Sequence, residues 1–182
     1  MEEGLEDSQF FGGMRMNKMR KVVAILALSL VLVLGVSAKD IKIAVAAPMT
    51  GDFAEYGIGF RNAVQLMVDE WNERGGVLGQ KVKVVAFDDK NSGEEGANVA
   101  EKILSDKDIV AVIGHFASGV CLAAAPKYQE AGLPEISPSA SHPDYSSVGD
   151  YIFRNNTVIS VEASAGIDIA MKTLGAKKIG VL

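Results

Sequence analysis

Hydrophobic positions along this chain follow two alternating patterns. Ile41–Ala47 and Ile109–Ile113 are runs of β-branched and small apolar residues. Runs apolar on both sides are expected of central parallel strands covered by helices on each face. Lys81–Phe87 alternates and reads as a strand. Between strands the period lengthens. Gly59–Glu73 places Phe60, Ala63, Val64, Met67 and Trp71 on one helical face, and Gly75-Gly76 ends it. Pro48–Tyr56 before it reads as loop. Ser92 and Glu95 have capping-box spacing for a helix running to Ser105.

After Ile113, Gly114 ends the strand and Ser118 is the expected N-cap of a helix over Gly119–Ala131. Pro126 predicts a kink or break in that helix, and Gly132 stops it. Leu133–Ile136 reads as a short strand, Ser137–Asp150 as loop and Tyr151–Arg154 as a brief extended piece. Val158–Leu174 reads as helix, and Lys178–Leu182 as the opening of another strand. A chain stopping inside an apolar strand is expected to be truncated. The alternation implies βαβ units: an α/β fold with a doubly wound parallel sheet and right-handed crossovers. Ligands of such sheets sit beyond the strands' carboxyl ends, where the strand order switches.

The amino-terminal part has a different character. Arg15, Lys18, Arg20 and Lys21 form a basic cluster, followed by the 14-residue apolar run Val22–Gly35 and by Val36-Ser37-Ala38. This is the pattern of a secretory signal peptide cleaved after Ala38. As a helix the run would reach about 21 Å, short of the roughly 30 Å hydrocarbon core, which argues against an anchor. The acidic leader, with Glu2, Glu3, Glu6 and Asp7, opposes that orientation; the expected true start is Met14, Met16 or Met19. The net charge of −5 argues against a nucleic-acid partner. The single cysteine, Cys121, allows no internal disulfide and is expected on a buried helix face.

Three loops follow strand carboxyl ends: Pro48–Tyr56, His115–Ser118 and Ser137–Ser141. They offer the hydroxyls of Ser118, Ser139 and Ser141, free backbone groups and the aromatic side chains of Tyr56 and Phe116. The sharp turn from strand into helix at Gly114–Ser118 also leaves unpaired N–H groups at the positive end of a helix dipole. The set suits a small ligand with one anionic and one apolar end. The plainer reading of Ser118 is a helix cap only.

Enzyme signatures are missing. No His-x-x-x-His, Cys-x-x-Cys or Gly-x-Ser-x-Gly occurs. His115 reads as a packed, hydrogen-bonded residue. Asp88-Asp89 falls where a dinucleotide fold holds ribose, but Gly57 and Gly59 are followed by Asn62, so the glycine fingerprint fails. Those carboxylates read as solvated or capping. No cofactor or metal is implied.

Ile41–Gly51 with Tyr56-Gly57 resembles the opening of the type I periplasmic binding proteins of the leucine/isoleucine/valine group. So do Gly75–Gly79, Asp88-Asp89, Val112–His115, Glu130–Pro134 and Ile136–Ser141, in the same order. The resemblance implies a two-lobed clamp serving an ABC importer, with a small amino acid as ligand and a membrane permease as partner. It implies that Ser118 and Ser141 bind the α-carboxylate. Ser139 and Ala140 would supply backbone contacts around the ammonium, and Tyr56, Phe116 and Ala117 the side-chain pocket. The acidic partner of the ammonium would belong to the second lobe. On this reading residues 1–38 are leader and signal peptide, 39–154 an incomplete first lobe, and 155–182 the crossover and start of the second. The expected function is that of an exported, non-enzymatic amino-acid carrier, for a branched-chain or other aliphatic ligand. Its runner-up is the extracellular sensing domain of a receptor, which a transmembrane span beyond Leu182 would reveal. An enzyme would need a convergent acid–base pair.

Overall fold

A computed structural model describes residues 39–180 of the chain. The signal-peptide reading and Val181-Leu182 lie outside the described residues. Five parallel strands form one sheet: β1 (Ile41–Ala47), β2 (Val82–Asp88), β3 (Ile109–Gly114), β4 (Glu135–Ser137) and β5 (Ile152–Arg154). Their order is β2-β1-β3-β4-β5. The chain goes from β1 to one side and returns to the other, so the switch lies between β1 and β3. There the connections leave in opposite directions and open a crevice at the carboxyl ends. β1 is interior to the sheet, with Ala44–Ala47 fully buried as its apolar run implies. By contrast β3, the middle strand, is not covered on both faces along its length and leaves Val110 about half exposed.

The two faces are covered unequally. Helices α2 (Gly93–Ser105) and α3 (Ser118–Ala131) share one face with Ala44, Ala46 and Val112. Val99, Ala100, Ile103, Cys121, Ala124 and Tyr128 complete that core. Side chains alternate across a strand, so Ile43 and Ile113 face the other way. They line an apolar groove with Val64, Met67 and Trp71 of α1 (Ala54–Glu73). The stripe expected on this helix does turn to the sheet, but Met67 and Trp71 remain about half exposed.

Several expected boundaries shift for local reasons. Helix α1 begins at Ala54, inside the expected loop. Gly57 permits this: a Cβ there would sit 2.0 Å from the Pro48 carbonyl oxygen, so only glycine lets the first turn lie against the exit of β1. Glu55 in that turn complements the helix dipole. Ser92 does cap α2, its hydroxyl accepting from the Glu95 N–H at 3.5 Å. The box does not close, because the Glu95 carboxylate pairs with Lys90 instead. Ser118 is not the N-cap of α3; Ala117 holds that position with extended backbone, φ −81° and ψ 139°. Pro126 does not break α3, which runs unbroken to Ala131. The proline is exposed, while Ala124, Ala125 and Tyr128 around it are buried and hold the helix through the one bond it cannot make. Gly132 then ends the helix in the left-handed conformation, φ 68°. Helix α4 (Ile159–Asp168) continues into a π-turn over Ile169–Thr173, and no residue of either is buried. Lys178–Gly180 is not a strand: it has no partner strand among the described residues.

Candidate functional site

The three loops meet at the carboxyl ends of β1, β3 and β4. The first is held by Asp88, the last residue of β2. Its carboxylate accepts from the Met49 N–H (2.8 Å), the Thr50 hydroxyl (2.6 Å) and the Lys90 N–H (2.9 Å). Burial pushes this carboxyl up, but the bonds from Thr50, Met49 and Lys90 outweigh it and hold the group below its ordinary pKa. So anchored, the first loop delivers an aromatic wall. Tyr56 stacks on Phe116 of the second loop at 4.5 Å between ring centroids, 19° from parallel. Phe53 and Phe60 flank Phe116 at 5.8 and 6.2 Å. Phe53 was legible as a large apolar residue in a loop three positions from Tyr56.

The second and third loops are tied through hydroxyls. Ser118 Oγ accepts from the backbone N–H groups of Ser141 (3.2 Å) and His142 (3.3 Å). Ser139 Oγ donates to the Phe116 carbonyl at 2.6 Å. Ser137 Oγ donates to the His115 carbonyl and accepts from the Ala140 N–H, both at 3.0 Å. Ala140 is fully buried, and its carbonyl also accepts from Arg154. Ala117, at the N-cap of α3, is partly buried beside the aromatic wall. Tyr56, Phe116, Ala117, Ser118, Ser139, Ala140 and Ser141 are therefore brought together, with Ser139 and Ala140 engaged internally.

A hydroxyl has one hydrogen to donate and two lone pairs to accept with. At Ser118 the accepting side is taken by two amides, and the hydrogen remains. The amides of Ser118 and Gly119, first in α3, have no intrahelical acceptor and sit at the positive end of the helix dipole. What this corner presents is donors, and donors converging at a helix start select an anion.

Behind the corner lies a sealed polar cluster. Asp89 and His115 are both fully buried, with Oδ2 and Nδ1 2.6 Å apart. His115 Nε2 lies 3.3 Å from the Tyr128 hydroxyl. His115 is thus the packed residue the sequence implies, whereas Asp89 is neither solvated nor a plain cap. Burial pushes the Cys121 thiol up to about 12, which leaves it unreactive. Two further residues escaped the sequence reading. Arg154 reaches four acceptors around the third loop. Glu135, opening β4, is fully buried with neither carboxylate oxygen hydrogen-bonded. Among the described residues no group of three His, Cys, Asp or Glu side chains is placed to hold a metal, and no helix is long and apolar enough to cross a membrane.

A family model described as periplasmic binding protein matches residues 40–182. A Leu/Ile/Val-binding protein homolog 1 from Brucella abortus is 37% identical over 124 residues, covering 68% of this chain and 33% of its own length. The substrate-binding protein LivJ of a branched-chain amino acid transporter from Streptococcus pneumoniae, solved with isoleucine, superposes with a TM-score of 0.71. It is 33% identical, over 76% of this chain and 40% of that one. An ABC transporter substrate-binding protein from Desulfitobacterium hafniense, solved with leucine, gives a TM-score of 0.64 at 34% identity, over 75% and 40%. The chain thus spans about a third to two fifths of the length of the curated relatives it matches.

Proposed function

Because the chain belongs to the periplasmic binding protein family, we propose that it forms the first lobe of an exported carrier that hands a small amino acid to an ABC importer. The observation that carries this reading is the donor-only corner at Ser118, set beside the stacked rings of Tyr56 and Phe116. One side suits a carboxylate and the other an apolar side chain. Ser118 and Ser141 take the carboxylate; Ser139 and Ala140 frame the ammonium; Tyr56, Phe116 and Ala117 receive the aliphatic end. The bound ligands of the isoleucine and leucine complexes support the same class. Residues 39–154 are the lobe and 155–182 the crossover into a second, a division supported by α4 burying none of its residues. The signal peptide directs export and is removed at Ala38. Closure of the two lobes over the ligand is what the membrane permease reads.

Titration calorimetry of the full-length protein against the twenty amino acids tests this reading. An aliphatic amino acid should bind, and no binding by any of them would refute it. In the same protein, Ser118→Ala should weaken that ligand by about 10- to 150-fold, the equivalent of one charge-assisted bond of about 1.5–3 kcal/mol. A lowered melting temperature with unchanged affinity would instead make Ser118 only a tie between loops.

A further inference from the structure

The third loop has two sides, and a single cation sorts them. Arg154 ends β5, next to β4, from which the loop departs. Its Nη1 donates to the carbonyls of Ala140 (2.9 Å) and His142 (2.8 Å), and its Nη2 to that of Pro143 (3.2 Å). Its Nε donates to Ser146 Oγ at 2.8 Å. The guanidinium also lies over the Tyr145 ring, 5.4 Å from the centroid, and Tyr145 is fully buried. Among the described residues no carboxylate forms an ion pair with Arg154. Its charge is met by these neutral dipoles and the ring face.

The carbonyls alternate with the amides that reach Ser118. The N–H groups of Ser141 and His142 bond to Ser118 Oγ, while the carbonyls of Ala140 and His142 bond to Arg154. We infer that Arg154 is a positioning residue for the anion-holding corner. It draws the loop's carbonyl oxygens to its own side, so that the amides occupy the accepting side of Ser118 and leave that hydroxyl as a donor. The sequence of effects runs from Arg154 to the loop peptides, to the hydroxyl of Ser118, to the ligand. This rests on the carboxylate-binding role proposed above. Lysine cannot replace the arginine, because a compact ammonium with three donors does not span four acceptors arranged around a planar fork.

The test uses the full-length protein and its Arg154→Lys and Arg154→Gln variants, with L-leucine and L-leucinol as probes. Leucinol keeps the amine and side chain but lacks the carboxylate. Either variant should lose about tenfold or more in affinity for leucine, about what one charge-assisted contact is worth, and less than twofold for leucinol. The Ser141 and His142 amide resonances of the ligand-free variants should also shift. Equal weakening of both probes would overturn the inference, since that is what general loosening produces. So would unchanged amide resonances in a folded variant. If the unsubstituted protein binds neither probe, the proposed function fails, and the amide resonances alone decide the role of Arg154. Should Arg154→Gln not fold, Arg154→Lys, which retains the charge, carries the test.

Discussion

Glu135→Gln is expected to stabilise the protein at pH 8 and to leave it nearly unchanged at pH 4.5. Glu135 is fully buried, and neither of its oxygens nor the Tyr145 hydroxyl is hydrogen-bonded. The titratable groups that feel its charge are Tyr145 outside the sheet and Tyr128 and Cys121 on α3. The His115–Asp89 pair completes the same buried cluster. Burial raises this carboxyl from 4.5 to about 8. The folded protein therefore keeps a proton that the unfolded chain releases between those two values. Stability falls wherever the native state binds more protons as pH rises. The loss begins near the unfolded value, grows through neutrality and is complete above the folded one. It amounts to a few kcal/mol, since each tenfold difference in proton affinity between the folded and unfolded states corresponds to about 1.4 kcal/mol. Glutamine keeps the shape and has no proton to lose. Urea unfolding at pH 5 and pH 8 should show the natural protein losing much more stability than the variant. Parallel losses in the two would mean that Glu135 does not titrate in the interior. The consequence reaches the site, because β4 is only three residues long and runs directly into the Ser137 turn.

Asp89→Ala should cost on the order of 2–5 kcal/mol, because it strands both the His115 ring nitrogen and the Asn91 N–H, at about 1–3 kcal/mol for each unmet buried group. Asp89 accepts from the Asn91 N–H at 2.9 Å and meets His115 at 2.6 Å. Its loss strands an imidazole nitrogen in a cluster closed to water, where an unmet polar group costs its full desolvation. Against a total stability of about 5–15 kcal/mol this is a large fraction. Asp89→Asn, which keeps an acceptor at the same place, should cost clearly less. Thermal unfolding followed by circular dichroism orders the three proteins. An alanine variant as stable as the parent would show that the pair contributes nothing net.

What the sequence made legible is what depends on local pattern. The two-sided apolar runs located β1 and β3, and the helical stripe located α1. Ser92 announced its own cap. Convergence of the three loops followed from alternation alone, because a doubly wound sheet gathers strand ends on one edge. What stayed hidden depends on chain segments meeting at a distance. Asp89 and His115 stand 26 positions apart, and nothing near either announces the other. Glu135 reads as a polar interruption of a short apolar strand; only the packing of α3 and Tyr145 around it makes it a buried acid. Gly57 reads in the sequence as part of a failed glycine fingerprint, and nothing local shows that its Cα must approach the Pro48 carbonyl. Ser118 was placed one step out. Its neighbour Ala117 caps the helix through backbone alone, which frees the serine to bridge two loops.

The most direct test of the central claim is a crystal structure of the full-length protein with L-leucine. One carboxylate oxygen should lie about 2.7 Å from Ser118 Oγ, the ordinary hydroxyl hydrogen-bond length. The other should face the first amides of α3, with the aliphatic chain against Tyr56 and Phe116. A leucine molecule seated elsewhere, or bound with its carboxylate turned away from Ser118, would contradict it.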